Sequence, residues 1–197
     1  MEMLKILVKN METKQKIRKD FLRIRKQMQK EDVICKSQQI CHAIINMNIW
    51  DNISSIFVYS PINNEVDLQV LVEWARSKNI IVCFPKVTED DMFFYKIDKD
   101  SMLEEGYFKI KEPAGNEEIF EADSKTIIFV PGNAFDIKGY RVGYGKGFYD
   151  KYLNKYSSAK AIGVAYEWQI IKEIEYDSFD ISMDIIVSEK GEVKIND

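Results

Sequence analysis

The sequence predicts an α/β fold: three layers, α/β/α, with a mainly parallel sheet, Rossmann-like, preceded by an N-terminal helical pair. Three observations carry this expectation. Short runs rich in β-branched and aromatic residues, such as Ile53–Tyr59 and Thr126–Val130, read as strands. Segments of helical periodicity alternate with them, and that βαβ rhythm calls for helices on both faces of a largely parallel sheet. A chain of 197 residues with 46% apolar and 30% charged residues suits one globular domain with a real core. The expected unit is therefore a single domain over 1–197, with 1–10 as a flexible extension.

The helical pair comes first. Ile17, Phe21, Ile24 and Met28 recur at helical spacing and form one apolar seam. Lys14, Arg18 and Arg25 form a second stripe at the edge of that seam, where long cations can reach a cleft. Glu31-Asp32 opens the second helix, with Ile34, Cys41 and Ile45 on one face, and Asp51-Asn52 ends the pair. Ile53–Tyr59 follows as a buried strand, then Val66–Lys78 as a helix with Leu68, Leu71, Val72 and Ala75 inward. Ile80–Phe84 is a short strand closed by Pro85, and Met92–Ile97 is a strand at a sheet edge. Ser101 to Ser124 is acidic and irregular, with turn chemistry at Lys111-Glu112-Pro113-Ala114-Gly115. Thr126–Val130 is a strand running into a glycine-rich loop. Gly147–Tyr156 is a helix, Ala161–Ala165 a strand, and Asp184–Val187 the last strand.

Composition narrows the function. No apolar run is long enough to cross a bilayer, and the first residues lack the apolar core and cleavage site of a leader. Cys35, Cys41 and Cys83 are odd in number and lack metal spacing, which suits a reducing cytoplasm. A net charge of −4 makes no global case for nucleic acid. The basic first helix could touch RNA, but no aromatic platform is interleaved with it. The expected partner is a small molecule, and the expected state a monomer.

Ligands of such sheets bind beyond the carboxyl ends of the strands. Two polar clusters fall there. One is Ser60-Pro61-Ile62-Asn63-Asn64-Glu65. The other runs from Val130-Pro131-Gly132-Asn133-Ala134-Phe135-Asp136 through Gly139-Tyr140-Arg141-Val142-Gly143-Tyr144-Gly145-Lys146-Gly147-Phe148-Tyr149-Asp150 and holds most of the chain's glycine. Glycine permits φ > 0 and close approach of backbone amides, and consecutive amides or a helix N-terminus bind anions. The spacing is neither the Rossmann G-x-G-x-x-G nor a Walker loop. A structural turn with a solvated lysine is the plain alternative; the flanking Arg141 and Asp150 favour a phosphate cradle with a carboxylate for a metal. Glu65 is a lone loop carboxylate, placed for a ligand by its strand end. Asp150 could equally serve as a first-turn acid, and Asp180-Ile181-Ser182-Met183-Asp184 as capping. Cys35 and His42 share a helix face without a third ligand, and no Ser-His-Asp triad has a candidate.

Together these residues resemble the 5-formyltetrahydrofolate cyclo-ligase family from about Thr13 to Glu189. The resemblance runs in order through Lys14-Gln15-Lys16-Ile17-Arg18, Tyr59-Ser60-Pro61 with Glu65-Val66-Asp67, Phe84-Pro85-Lys86, Ile110-Lys111-Glu112-Pro113, the glycine segment through Leu153, Ile162-Gly163-Val164-Ala165-Tyr166, and Asp180 with Met183-Asp184. The glycine segment is its most specific part. The resemblance implies ATP, Mg²⁺ and cyclisation of 5-formyltetrahydrofolate to 5,10-methenyltetrahydrofolate with release of ADP and phosphate. It implies that Lys14, Arg18, Arg141 and Gly143, Tyr144, Gly145, Lys146, Gly147, Phe148 and Tyr149 hold the nucleotide. Lys146, Arg141 and Glu65 would be catalytic, Ser60, Glu65 and Tyr149 would hold folate, and Asp150 and Asp184 the metal. Tyr59, Tyr144, Tyr149 and Phe135 are candidate walls for the pterin. Phe179 stands where the family often has histidine, and Met1–Asn10 precedes the family's usual start, with Met11 an alternative start. Other readings are a phosphoryl-transfer enzyme on another substrate and a nucleotide- or folate-binding protein without turnover.

Overall fold

A computed structural model of the chain describes residues 13–98, 103–105, 111–113, 118–193 and 195; the expectation for 1–10 lies outside them. Helix α1 (Lys14–Lys26) starts at Thr13, whose hydroxyl accepts from the Lys16 amide at 3.4 Å. Helix α2 (Lys30–Ile45) buries Ser37, Ile40, Cys41 and Ile44. Ile24 and Ile34, expected inward, are exposed. On α1 the buried face turns through Ile17, Phe21 and Arg25 instead.

Strand β1 (Ser55–Phe57), helix α3 (Gln69–Ser77), β2 (Ile81–Val87) and β3 (Met92–Lys96) follow. Pro85 does not close β2. It pairs with Phe94 of β3, while β1 ends opposite Cys83, so the missing Pro85 N–H interrupts no ladder on that side. Within the segment expected to be irregular, β4 (Leu103–Glu105) and β5 (Lys111–Pro113) form a hairpin. Then come β6 (Thr126–Pro131), β7 (Ala134–Asp136), β8 (Arg141–Val142), α4 (Phe148–Lys155), β9 (Lys160–Val164), β10 (Ile170–Ile171), β11 (Ile185–Ser188) and β12 (Gly191–Val193). Strands β7, β8, β10 and β12, absent from the sequence expectation, are each too short to show a period.

Seven strands form the main sheet in the order β12-β11-β9-β6-β1-β2-β3. From β11 to β2 they run parallel, and the edges β3 and β12 are antiparallel. Both faces are covered. Ile56, Val58, Ile127, Phe129 and Ile162 pack with α2 and α3. Phe57, Ile128, Val130 and Ala161 pack in a second cluster with Tyr152 and Leu153 of α4. A smaller sheet, β10-β7-β8, carries α1 through Ile17, Phe21, Ala134, Val142 and Ile174. This third cluster holds the first helix beside the glycine loop.

Candidate active site

Strands β1 and β6 lie side by side, but the chain leaves β1 toward β2 and leaves β6 toward β9. The connections leaving their carboxyl ends therefore run in opposite directions, and such a switch point opens a crevice. A cleft of about 1160 Å³ occupies it. Tyr59, Ser60, Ile62, Asn63 and Glu65 line it beyond β1, and Pro131 beyond β6. Arg141 through Asp150 form another wall, Lys14 and Arg18 reach in from α1, and Asp177 through Ile181 complete the rim.

Glu65 is 5% exposed. Asn63 and Asn64 turn the chain ahead of it with φ of 50° and 59°, a region asparagine tolerates better than most residues. The Ile62 amide donates to Glu65 Oε2 at 3.0 Å, the Tyr144 hydroxyl to Oε1 at 3.1 Å, and Arg25 Nη2 stands 3.3 Å from Oε1. Burial pushes the Glu65 carboxyl above its ordinary range, with Arg25, the Ile62 amide and Tyr144 pulling the other way. Arg25, expected at the helix edge, is instead buried at the centre of these contacts.

The facing wall is cationic. Arg18 Nε donates to the Gly143 carbonyl at 2.8 Å. Gly145 lies over that guanidinium with φ +93°, and a Cβ there would come within 3.2 Å of Arg18 Cζ. Gly147 is left-handed at φ 69° and starts α4, whose first residues line the cleft. Arg141 bridges Asp150 at 3.0 Å and donates to the Ile181 carbonyl at 3.2 Å, while the Ile181 amide donates to Asp150 Oδ1 at 3.1 Å. Burial lowers the Arg141 pKa, and the neighbouring Asp150, above all, opposes it. Lys14 Nζ donates to Asp177 at 2.7 Å and also pairs with Asp180. Burial lowers the Lys14 pKa, but those two carboxylates outweigh it and raise it overall. Lys146 is exposed over the cleft and has no partner among the described residues.

The cleft thus gathers Lys14, Arg18, Ser60, Glu65, Arg141, Gly143 to Tyr149 and Asp150. It does not gather Asp184. That residue is exposed at the amino end of β11, and its Oδ2 accepts from the Ala161 amide at 2.7 Å, closing the start of the β9–β11 ladder. Of the two aspartates in the Asp180–Asp184 segment, Asp180 is the one on the cleft, where the sequence alone suggests capping. Asp180 and Asp184 flank one short turn, and the β9–β11 pairing takes Asp184. Phe135 is no pterin wall. It is fully buried, wedged where a Cβ on Gly132 or on Gly163 would come within 2.6 Å of its ring. Tyr59 lines the cleft but its hydroxyl is engaged, donating to Val66 O at 2.9 Å. Tyr144 is 41% exposed at the wall, and Phe179 is 69% exposed at the rim. The buried Tyr149 hydroxyl has no partner among the described residues. No group of three potential ligand side chains forms a ready metal cage among the described residues.

A parallel sheet whose switch point opens between a buried carboxylate and a glycine-rich cationic loop defines an α/β enzyme fold, and comparison with known proteins gives its class as a folate ligase. The chain belongs to the 5-formyltetrahydrofolate cyclo-ligase family, whose sequence model matches residues 10–189. It is 26% identical over 185 residues to the 5-formyltetrahydrofolate cyclo-ligase of Haemophilus influenzae, covering 90% of this chain and 99% of that protein. The NMR structure of Aquifex aeolicus 5,10-methenyltetrahydrofolate synthetase is similar with a TM-score of 0.81 and 31% identity, covering 93% of each chain. A 5,10-methenyltetrahydrofolate synthetase from Mycoplasma pneumoniae gives 0.74 and 25%, covering 89% of this chain and 98% of that one.

Proposed function

We propose that this chain, acting as a single catalytic domain, uses ATP to cyclise 5-formyltetrahydrofolate to 5,10-methenyltetrahydrofolate. The observation that carries the reading is one cleft with two unlike walls: a buried carboxylate on one side, and a cationic glycine loop leading into a helix N-terminus on the other. A cleft of about 1160 Å³ exceeds the roughly 300–1000 Å³ of a site for one small ligand and suits two substrates meeting.

The N-formyl group is amide-like and a poor electrophile. Its oxygen attacks the γ-phosphorus and ADP leaves, giving a phosphorylated iminium. N10 then attacks the formyl carbon, loses its proton, and phosphate departs as the ring closes. The protein's task is to align oxygen with phosphorus and to neutralise phosphate charge. Lys146, exposed over the cleft with no competing partner among the described residues, is assigned that task. Lys14, Arg18 and Arg141 flank it, with the amides of Gly143 through Tyr149. Glu65, Ser60 and the Tyr149 hydroxyl orient folate. Mg²⁺ prefers a few carboxylates plus phosphate oxygens, which Asp150 and Asp180 fit better than a preformed cage would require. When bound, it would shield phosphate charge.

The reading includes a monomer, because one chain supplies both walls, and a cytoplasmic setting, because Cys41 and Cys83 are buried as free thiols. Nucleic acid is not part of it, since burial of Arg25 withdraws a cation from the basic stripe. No helix among the described residues is long and apolar enough to cross a membrane.

The test is the ultraviolet absorbance of the methenyl product on mixing the chain with ATP, Mg²⁺ and 5-formyltetrahydrofolate. No absorbance change from wild type rejects the reading. Lys146→Ala should lower kcat on the order of 10²–10³-fold, as expected for losing a transition-state charge partner. Turnover within a few-fold of wild type removes Lys146 from its assigned role.

A further inference from the structure

We propose that Arg25 is a positioning residue for this reaction: it fixes Glu65 and, through Tyr144, ties the glycine loop to the same carboxylate. The inference rests on folate binding at Glu65 as proposed above.

Arg25 is 1% exposed. Its planar fork meets acceptors from three distant segments. Nε donates to the Asn63 carbonyl at 3.0 Å and Nη1 to the Gly132 carbonyl at 2.8 Å. Nη2 donates to the Tyr144 hydroxyl at 2.7 Å and stands 3.3 Å from Glu65 Oε1. Asn63 and Gly132 lie beyond β1 and β6, so one guanidinium spans the switch point. A lysine ammonium has the charge but not this fork.

The bridge has a direction. The Tyr144 oxygen lies within donor reach of Arg25 Nη2 and of Asn63 Nδ2 at 3.3 Å, so its own proton is left for Glu65. Glu65 then uses three of its roughly four acceptor positions, on Ile62, Arg25 and Tyr144. The remaining one suits an N–H donor, the group a pterin presents. Because Tyr144 sits inside the glycine loop, loop position and folate affinity share the oxygen Oε1.

Arg25 also governs the charge. The groups facing Glu65 are Arg25 from α1, Tyr59 after β1, Tyr144 in the loop, Tyr149 of α4 and Tyr166 after β9. The four tyrosines are neutral at physiological pH, and burial raises each of them further. Among the described residues Arg25 is therefore the cation opposing protonation of Glu65, and its loss moves that protonation to higher pH.

The experiment measures the Kd of 5-formyltetrahydrofolate and of ATP separately by calorimetry from pH 5 to 8, with steady-state turnover, on the full chain. Wild type is compared with Arg25→Met, Arg25→Lys and Tyr144→Phe. Arg25→Met should weaken folate about tenfold or more, the loss of a charge-assisted hydrogen bond, and leave ATP within about twofold. Its acid limb for folate binding should move up by about one pH unit. Arg25→Lys should weaken folate but keep the limb near wild type, separating geometry from charge. Tyr144→Phe, which deletes one hydroxyl, should abolish any gain in folate affinity caused by a non-hydrolysable ATP analogue. Should Arg25→Met fail to fold, Arg25→Lys and Tyr144→Phe decide alone. Wild-type-like folate binding in the variants overturns the proposal, as does equal weakening of folate and ATP. Wild type that binds folate without turnover defeats the proposed function and leaves the Arg25 test standing; wild type that binds no folate defeats both.

Discussion

Glu65 has its character from its surroundings. A carboxylate on a loop is ordinarily solvated, yet this one is 5% exposed and met by an amide, a hydroxyl and a guanidinium. Glu65→Gln keeps the shape and removes the charge, so it should raise KM for 5-formyltetrahydrofolate about tenfold or more while changing that for ATP little. Equal changes in both would take Glu65 off the folate wall. Acid should mimic the substitution. Because burial raises the Glu65 pKa, folate use should begin to fail at a pH above the 4.5 of an ordinary glutamate. The sign follows from the charge: the ionised form is the one that accepts, and it is lost as pH falls through the raised value. Arg25 shows the limit of reading single residues. At helical spacing it joins Lys14 and Arg18 at the edge of the apolar seam, and nothing local says that partners 38, 107 and 119 positions away will bury it.

At the scale of elements, the long periodic segments were legible and the short ones were not. Helices α1 to α4 and strands β1, β2, β3, β6, β9 and β11 lie where apolar runs and periodicity place them. Strands β7, β8 and β10 hold two or three residues each and exist because they pair with one another across distance. Most of the candidate site was legible for the same reason, since glycines and cations collect just past strand ends. Asp184 was misplaced because two aspartates flank one short turn, and only the β9–β11 pairing decides which faces the cleft. Phe135 was misplaced because an aromatic beside glycines looks the same as a ligand wall and as a core wedge. The wedge makes a prediction. Gly163→Ala would put a Cβ 2.6 Å from the Phe135 ring and 3.1 Å from Met183 Cγ, both fully or nearly fully buried. Overpacking of about 1–3 kcal/mol should lower Tm by about 2–12 °C, read by calorimetry. An unchanged Tm would mean that Phe135 has room to yield.

For the molecule as a whole, the cleft joins parts that are packed separately. The main sheet has its own two clusters, and α1 rests on the small sheet. Lys14, Arg141 and Asp150 are tied to the turn formed by residues 177–181. A nucleotide that engages these groups should stabilise the whole fold by mass action. With ATP and Mg²⁺ at about 100 times Kd the gain is about 2.7 kcal/mol, or about 5–10 °C in Tm. A thermal scan that does not move under those conditions would deny the nucleotide its assigned wall.

The reach of Arg25 also orders events during biosynthesis. Its helix leaves the ribosome before the Gly132 carbonyl and the Tyr144 hydroxyl, which follow 107 and 119 residues later. Until they arrive, the guanidinium has no dry place to go and must stay hydrated. The protein therefore becomes competent for the proposed cyclisation only after its second half has been translated.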